Sequence, residues 1–121
     1  MSTLSHQTGL SELTAYLRSE TRAVYAILDH ILERRADATD PVSPYTAWSA
    51  ERLVASAESI RNALKGRNQI GPLTGLPISI KDLYGLPGLP TYAGTPRRLP
   101  PRWEMAGPIV AALIKQGALI S

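Results

Sequence analysis

The sequence predicts an α/β fold in which N-terminal helices lead into the first part of a parallel βαβ sheet. Three observations predict it. Apolar residues recur at helical spacing on both sides of residue 50, and a short β-branched run, Ile78-Ser79-Ile80-Lys81-Asp82, is matched across a crossover by Ala118-Leu119-Ile120. Between the helices and the crossover the chain changes character, because 13 of the 19 glycines and prolines lie between Gly66 and Pro101, where they break helices and mark turns.

A first short helix is expected over about 10–18. In the second, Val24, Ile27, Leu28 and Ile31 share one face, with Glu20, Arg22, Asp29 and Glu33 elsewhere. Arg34 and Arg35 occupy its last turn, where cations favour the negative end of the helix dipole. The helical run must stop before Asp40-Pro41, since the residue ahead of a proline is biased away from helix, and 37–46 is a loop. A third helix begins at Ser49, whose hydroxyl can cap the free amides of Glu51 and Arg52. Leu53, Ala57, Ile60 and Leu64 line its apolar face and Gly66 is its natural stop.

The run Ile78 to Asp82 is bounded by Pro and Gly and reads as a strand. Alternation then puts Ile78 and Ile80 on one side and Ser79 and Lys81 on the other. This sets Lys81 at the carboxyl end of a strand, the edge of an α/β sheet where ligands bind. Residues 83–102 read as loop. Pro108 suits the first turn of a helix, whose apolar face is Ile109, Val110, Leu113 and Ile114, and Gly117 ends it. The strand–helix–strand unit is expected to be parallel and right-handed. It ends at Ser121 inside or just past its second strand, leaving both sheet edges open, and the chain is therefore expected to be truncated at its C-terminus.

Composition narrows the function. With 121 residues, 44% apolar and 19% charged, the chain has globular make-up, and without Phe its core must be aliphatic. The net charge of +3 is spread along the chain rather than gathered into the basic stripe of a nucleic-acid binder, so no direct nucleic-acid partner is expected. There is no cysteine, which removes disulfides and thiolate metal sites. His6 and His30 are too far apart to suggest a metal site, and no cofactor is expected. A polar N-terminus without a signal pattern, and no apolar run near the ~20 residues that span a bilayer, point to a cytoplasmic protein with no membrane partner.

One constellation carries chemistry. Gly71-Pro72-Leu73-Thr74-Gly75-Leu76-Pro77-Ile78-Ser79-Ile80-Lys81-Asp82 is followed by Gly88-Leu89-Pro90-Thr91-Tyr92-Ala93-Gly94-Thr95. These blocks resemble the amidase-signature family, which carries Gly-Pro-Leu, a Gly-Ile-Pro-Val segment running into Ile-Lys-Asp, then Gly-Leu-Pro-Thr-Thr-x-Gly-Ser. The resemblance is strong from Gly71 to Ile120 and looser from Leu10 to Gly66. Tyr92 and Thr95 depart from the second block. The family's acidic residue ahead of the last helix is Ala106 here, with Glu104 the nearest substitute.

The resemblance implies the N-terminal fragment of a single amidase domain. Residues 1–66 form its helical segment, and 71–121 begin its mixed sheet with the lysine motif. It further implies hydrolysis of small-molecule carbon–nitrogen amides by a Ser–cis-Ser–Lys triad, with Lys81 as general base. Both serines lie downstream in the family, so this chain alone is expected to be inactive. Ser79 has no counterpart among them. A lysine base must be neutral, and an unperturbed lysine titrates near 10.4, so Lys81 requires burial or a neighbouring positive charge. An apolar strand flanked by prolines suggests such a low-dielectric setting. From the residues alone the alternative is a surface lysine paired with Asp82. Two other functions stay open: the glutaminase component of an aminoacyl-tRNA amidotransferase, and a non-catalytic partner-binding module.

Overall fold

The computed structural model describes residues 4, 7–37, 39, 41, 42, 44–67 and 70–121. Three helices come first: α1 (Leu10–Ser19), α2 (Ala23–Ala36) and α3 (Ala50–Gly66). At the start of α1 the Gly9 amide donates to the Glu12 carboxylate at 3.1 Å, which satisfies a backbone group at the open helix end. Ser49 caps α3 as its sequence indicates, accepting from the Arg52 amide at 3.1 Å. Gly66 is still helical; the left-handed residue that ends α3 is Arg67, at φ 51°.

Two strands, β1 (Pro77–Ile78) and β2 (Leu119–Ile120), are joined through a 3-10 turn (Pro101–Glu104) and α4 (Pro108–Lys115). They pair in parallel, Pro77 opposite Leu119 and Ile78 opposite Ile120. This is the expected α/β arrangement of helices followed by a βαβ unit.

β2 divides the core. Leu119 joins a cluster built from Leu17, Val24, Ile27, Leu53, Ala57 and Ile60, on the side of the three helices. Ala118 and Ile120 belong to a second cluster with Leu86 and Val110, against which Ile78, Ile80 and Leu113 pack. Ala23 and Ala57 are fully buried in the first cluster. The buried apolar side chains are all aliphatic, as a chain without Phe requires.

The turn before β1 is fixed by Thr74, which is buried. Its hydroxyl accepts from the Gly71 amide at 2.9 Å and donates to the Gln116 carbonyl at 2.8 Å, tying the turn to the end of α4. Thr74→Val keeps the shape and removes both bonds. It is expected to destabilise the chain by about 1–3 kcal/mol, the cost of leaving buried polar groups unpaired, as measured by denaturant unfolding.

Two expectations are corrected. The strand predicted over Ile78–Asp82 is regular only at Pro77–Ile78. The register offers β1 two partners, through Leu119 N to Leu76 O and Ser121 N to Ile78 O, at 2.9 and 3.0 Å. Ser79, Ile80 and Lys81 follow without regular structure, and the turn begins at Asp82. On α4, Val110 is buried and Leu113 partly so, but Ile109 is 67% and Ile114 44% exposed. The covered stripe of this helix is therefore narrower than its four apolar residues suggest.

Candidate active site

Lys81 stands just beyond β1, at its carboxyl end. Its carbonyl accepts from the amides of Leu83 and Tyr84 at 2.7 and 3.1 Å, so the lysine opens a turn rather than completing a strand. The side chain is exposed. The enclosed, low-dielectric setting anticipated from the flanking prolines is thus not formed by these residues. Lys81 lies beyond the pairing of Pro77–Ile78 with Leu119–Ile120.

Asp82 does not pair with Lys81. Its Oδ1 accepts from the Tyr92 amide at 2.9 Å, while Oδ2 is buried without a hydrogen-bond partner. Asp82 thereby ties the second motif block back to the first. The loop is closed again by Thr91, whose hydroxyl donates to the Trp103 carbonyl at 3.2 Å and whose carbonyl accepts from Leu99 N at 2.8 Å. Gly85 sits where a Cβ would collide with the backbone oxygens of Trp103 and Met105, which explains a glycine at that crossing. Lys81 and Asp82 line a small cleft of about 50 Å³ together with Ile80, Tyr45, Thr91 and Ser121.

Ser79 is exposed. Its hydroxyl lies 3.2 Å from the Tyr45 hydroxyl and 3.4 Å from that of Ser121, and neither contact links it to Lys81. Tyr45 is the residue that the sequence did not single out. It comes from a loop, where no periodicity flags it. Hydrogen bonding with Ser79, followed by the Arg35 and Arg34 charges, holds its phenol below its usual value.

Glu104 does not replace the missing acid before α4. It is engaged by Arg98, whose Nε and Nη2 donate at 2.7 and 3.0 Å, and the α4 cap at Gly107 has no side-chain bond. The Arg98 hydrogen bonds and charge hold the Glu104 carboxyl below its ordinary value of 4.5. A depressed carboxylate stabilises the fold above its ordinary value and loses that contribution as the pH falls through the folded value. Glu104→Gln is therefore expected to lower the melting temperature at neutral pH by a small amount. The gap to wild type should shrink in melts recorded below about pH 4.

Among the described residues no group of three or more His, Asp or Glu side chains could hold a metal ion; His6 lies outside them. No described helix is long and apolar enough to cross a membrane.

The comparisons agree with this geometry. The family model described as Amidase matches residues 26–121. A 2-amino-5-chloromuconic acid deaminase of Comamonas testosteroni is 37% identical over 111 residues, 92% of this chain and 24% of that protein. A glutamyl-tRNA(Gln) amidotransferase component from Rippkaea orientalis is 30% identical over 86 residues, 71% of this chain and 18% of that protein. The crystal structure of an amidase superposes with a TM-score of 0.80 at 33% identity, over 93% of this chain and 26% of that one. The chain thus spans about a quarter or less of the length of these relatives. A matched family model across both motif blocks, and the same fold in a solved amidase, make this chain a member of the amidase family.

Proposed function

We propose that the chain supplies the general-base lysine of an amide hydrolase, with Lys81 in that role. The carrying observation is its position: it follows β1 directly, at the carboxyl end of a parallel pair, and lines a cleft closed by the loop that Asp82 and Thr91 tie down. In the reaction, neutral Lys81 accepts a proton relayed through an intermediate serine. The nucleophilic serine, relieved of its own proton, attacks the amide carbonyl. The carbon–nitrogen bond breaks as the amine leaves with the proton that Lys81 took up, and water then hydrolyses the acyl-serine to the acid and free serine. Both serines come from parts of the amidase domain outside the motif blocks found here, so residues 1–121 alone show no amide turnover.

The substrate is a small-molecule amide, and no cofactor enters the step. Family membership weighs against a non-catalytic partner-binding module. A second reading, the glutaminase component of an aminoacyl-tRNA amidotransferase, draws on the likeness to the Rippkaea protein. It predicts glutamine hydrolysis that depends on the tRNA-bound partner assembly, whereas a free-standing amidase hydrolyses simple amides by itself. The test of the first reading is Lys81→Ala in the full-length enzyme, assayed on simple amides.

A further inference from the structure

Between the last turns of α2, the loop after it and the ends of both strands lies a cavity of about 550 Å³. Arg34, Arg35 and His30 contribute to its wall from α2, and Tyr45, Ser79 and Ser121 face them. Among the described lining residues Asp37 is the one acidic side chain, and it accepts from both the amide and the hydroxyl of Thr39. The described lining therefore sets two guanidinium groups against one engaged acid.

The two arginines differ in freedom. The Arg35 guanidinium lies 3.1 Å from the Tyr45 ring centroid, and its Nη2 donates to the Ser121 hydroxyl at 3.1 Å. Its Nε is buried with no hydrogen-bond partner. The Arg34 guanidinium forms no close ion pair among the described residues, although its charge contributes, after the Thr39 hydrogen bonds, to holding the Asp37 carboxyl below its ordinary value. A guanidinium presents its donors in a rigid fork that matches a carboxylate in two parallel bonds. Phosphate would also fit the charge, but the reaction at Lys81 concerns carbonyl chemistry, and the two sites are adjoining. Tyr45 and Ser121 line both this cavity and the cleft that holds Lys81. A ligand whose reacting amide lies at the lysine can reach the arginines across that shared wall.

We propose that Arg34 and Arg35 bind a free carboxylate of the substrate, making this an enzyme for amides that carry an acid group. The proposal rests on the amide-hydrolase reading of Lys81. Within it, Arg35 is held by stacking and Arg34 is the arm that closes on the ligand.

The test is a specificity ratio in the full-length enzyme. kcat/KM is measured for a series of ω-carboxyamides, from succinamate to adipamate, and for the matching neutral diamides. At least one carboxyamide should exceed its diamide by about tenfold or more, the scale of a charge-assisted bidentate contact. Arg34→Gln should bring that ratio close to one, and Arg34→Lys should restore part of it. Both substrates are assayed on one sample, so a loss of folded enzyme cancels in the ratio. Glutarate should inhibit competitively and less tightly after Arg34→Gln. Diamides equal to or better than the carboxyamides throughout would overturn the proposal. So would a carboxylate preference that survives both Arg34→Gln and Arg35→Gln. If Lys81→Ala abolishes diamide hydrolysis while no carboxylate preference exists, the hydrolase reading stands and the anion site falls. If hydrolysis survives Lys81→Ala, the hydrolase reading itself falls.

Discussion

Lys81→Ala in the full-length enzyme is expected to lower kcat for amide hydrolysis by about 10²–10⁴-fold, the usual contribution of a positioned general base. Alanine removes the proton acceptor but leaves the turn intact, because the bonds that Leu83 and Tyr84 donate end on the backbone carbonyl of residue 81. The fold should therefore survive, and the melting temperature of the variant should match wild type. Steady-state rates alongside a thermal melt check both halves. Activity within about tenfold of wild type would remove Lys81 from the base role.

Leu53→Ala is expected to be the most damaging single truncation in the helical layer, at about 2–5 kcal/mol. Leu53 is 1% exposed and lies in the cluster that α1, α2, α3 and Leu119 share. Removing its side chain costs the transfer energy and leaves a cavity between elements that cannot collapse independently. The neighbouring Val54 is 47% exposed on the same helix. Val54→Ala should change stability by no more than about 0.5 kcal/mol, as surface changes usually do. Equilibrium unfolding of the two variants separates burial from helix propensity, because both replacements put the same good helix former at adjacent positions.

The helical layer was legible in the sequence for the reason this pair of variants exposes. Leu53, Ala57, Ile60 and Leu64 repeat at the helical period, and all four are buried. Ser49 announced its cap by residue type alone. The extent of β1 is less legible: its residues favour extended chain, and the pairing with β2 covers Pro77 and Ile78. Ile109 and Ile114 share the apolar side of α4 yet are exposed, because periodicity reports which residues share a side, not whether anything packs there.

The site divides along the same line. Lys81 was found through its motif blocks, and Asp82 was named beside it, but the Asp82 bond to Tyr92 spans a loop whose path no local rule predicts. Arg34 and Arg35 read as helix-end cations in sequence. Their place in one cavity with Tyr45 depends on α2 and the following loop both meeting the strand ends.

The sequence by itself determined the helices, the order of the elements, the aliphatic character of the core and the lysine of the motif blocks, since each is encoded by residue type and spacing within one segment. The tertiary structure alone decided that Thr74 ties the turn before β1 to the end of α4, that Asp82 holds the Tyr92 amide, and that Tyr45 lines both the lysine cleft and the arginine cavity. Each of these depends on contacts between segments distant in the chain. Hydrogen-bond partners and burial belong to the pair of surfaces that meet, not to either segment alone.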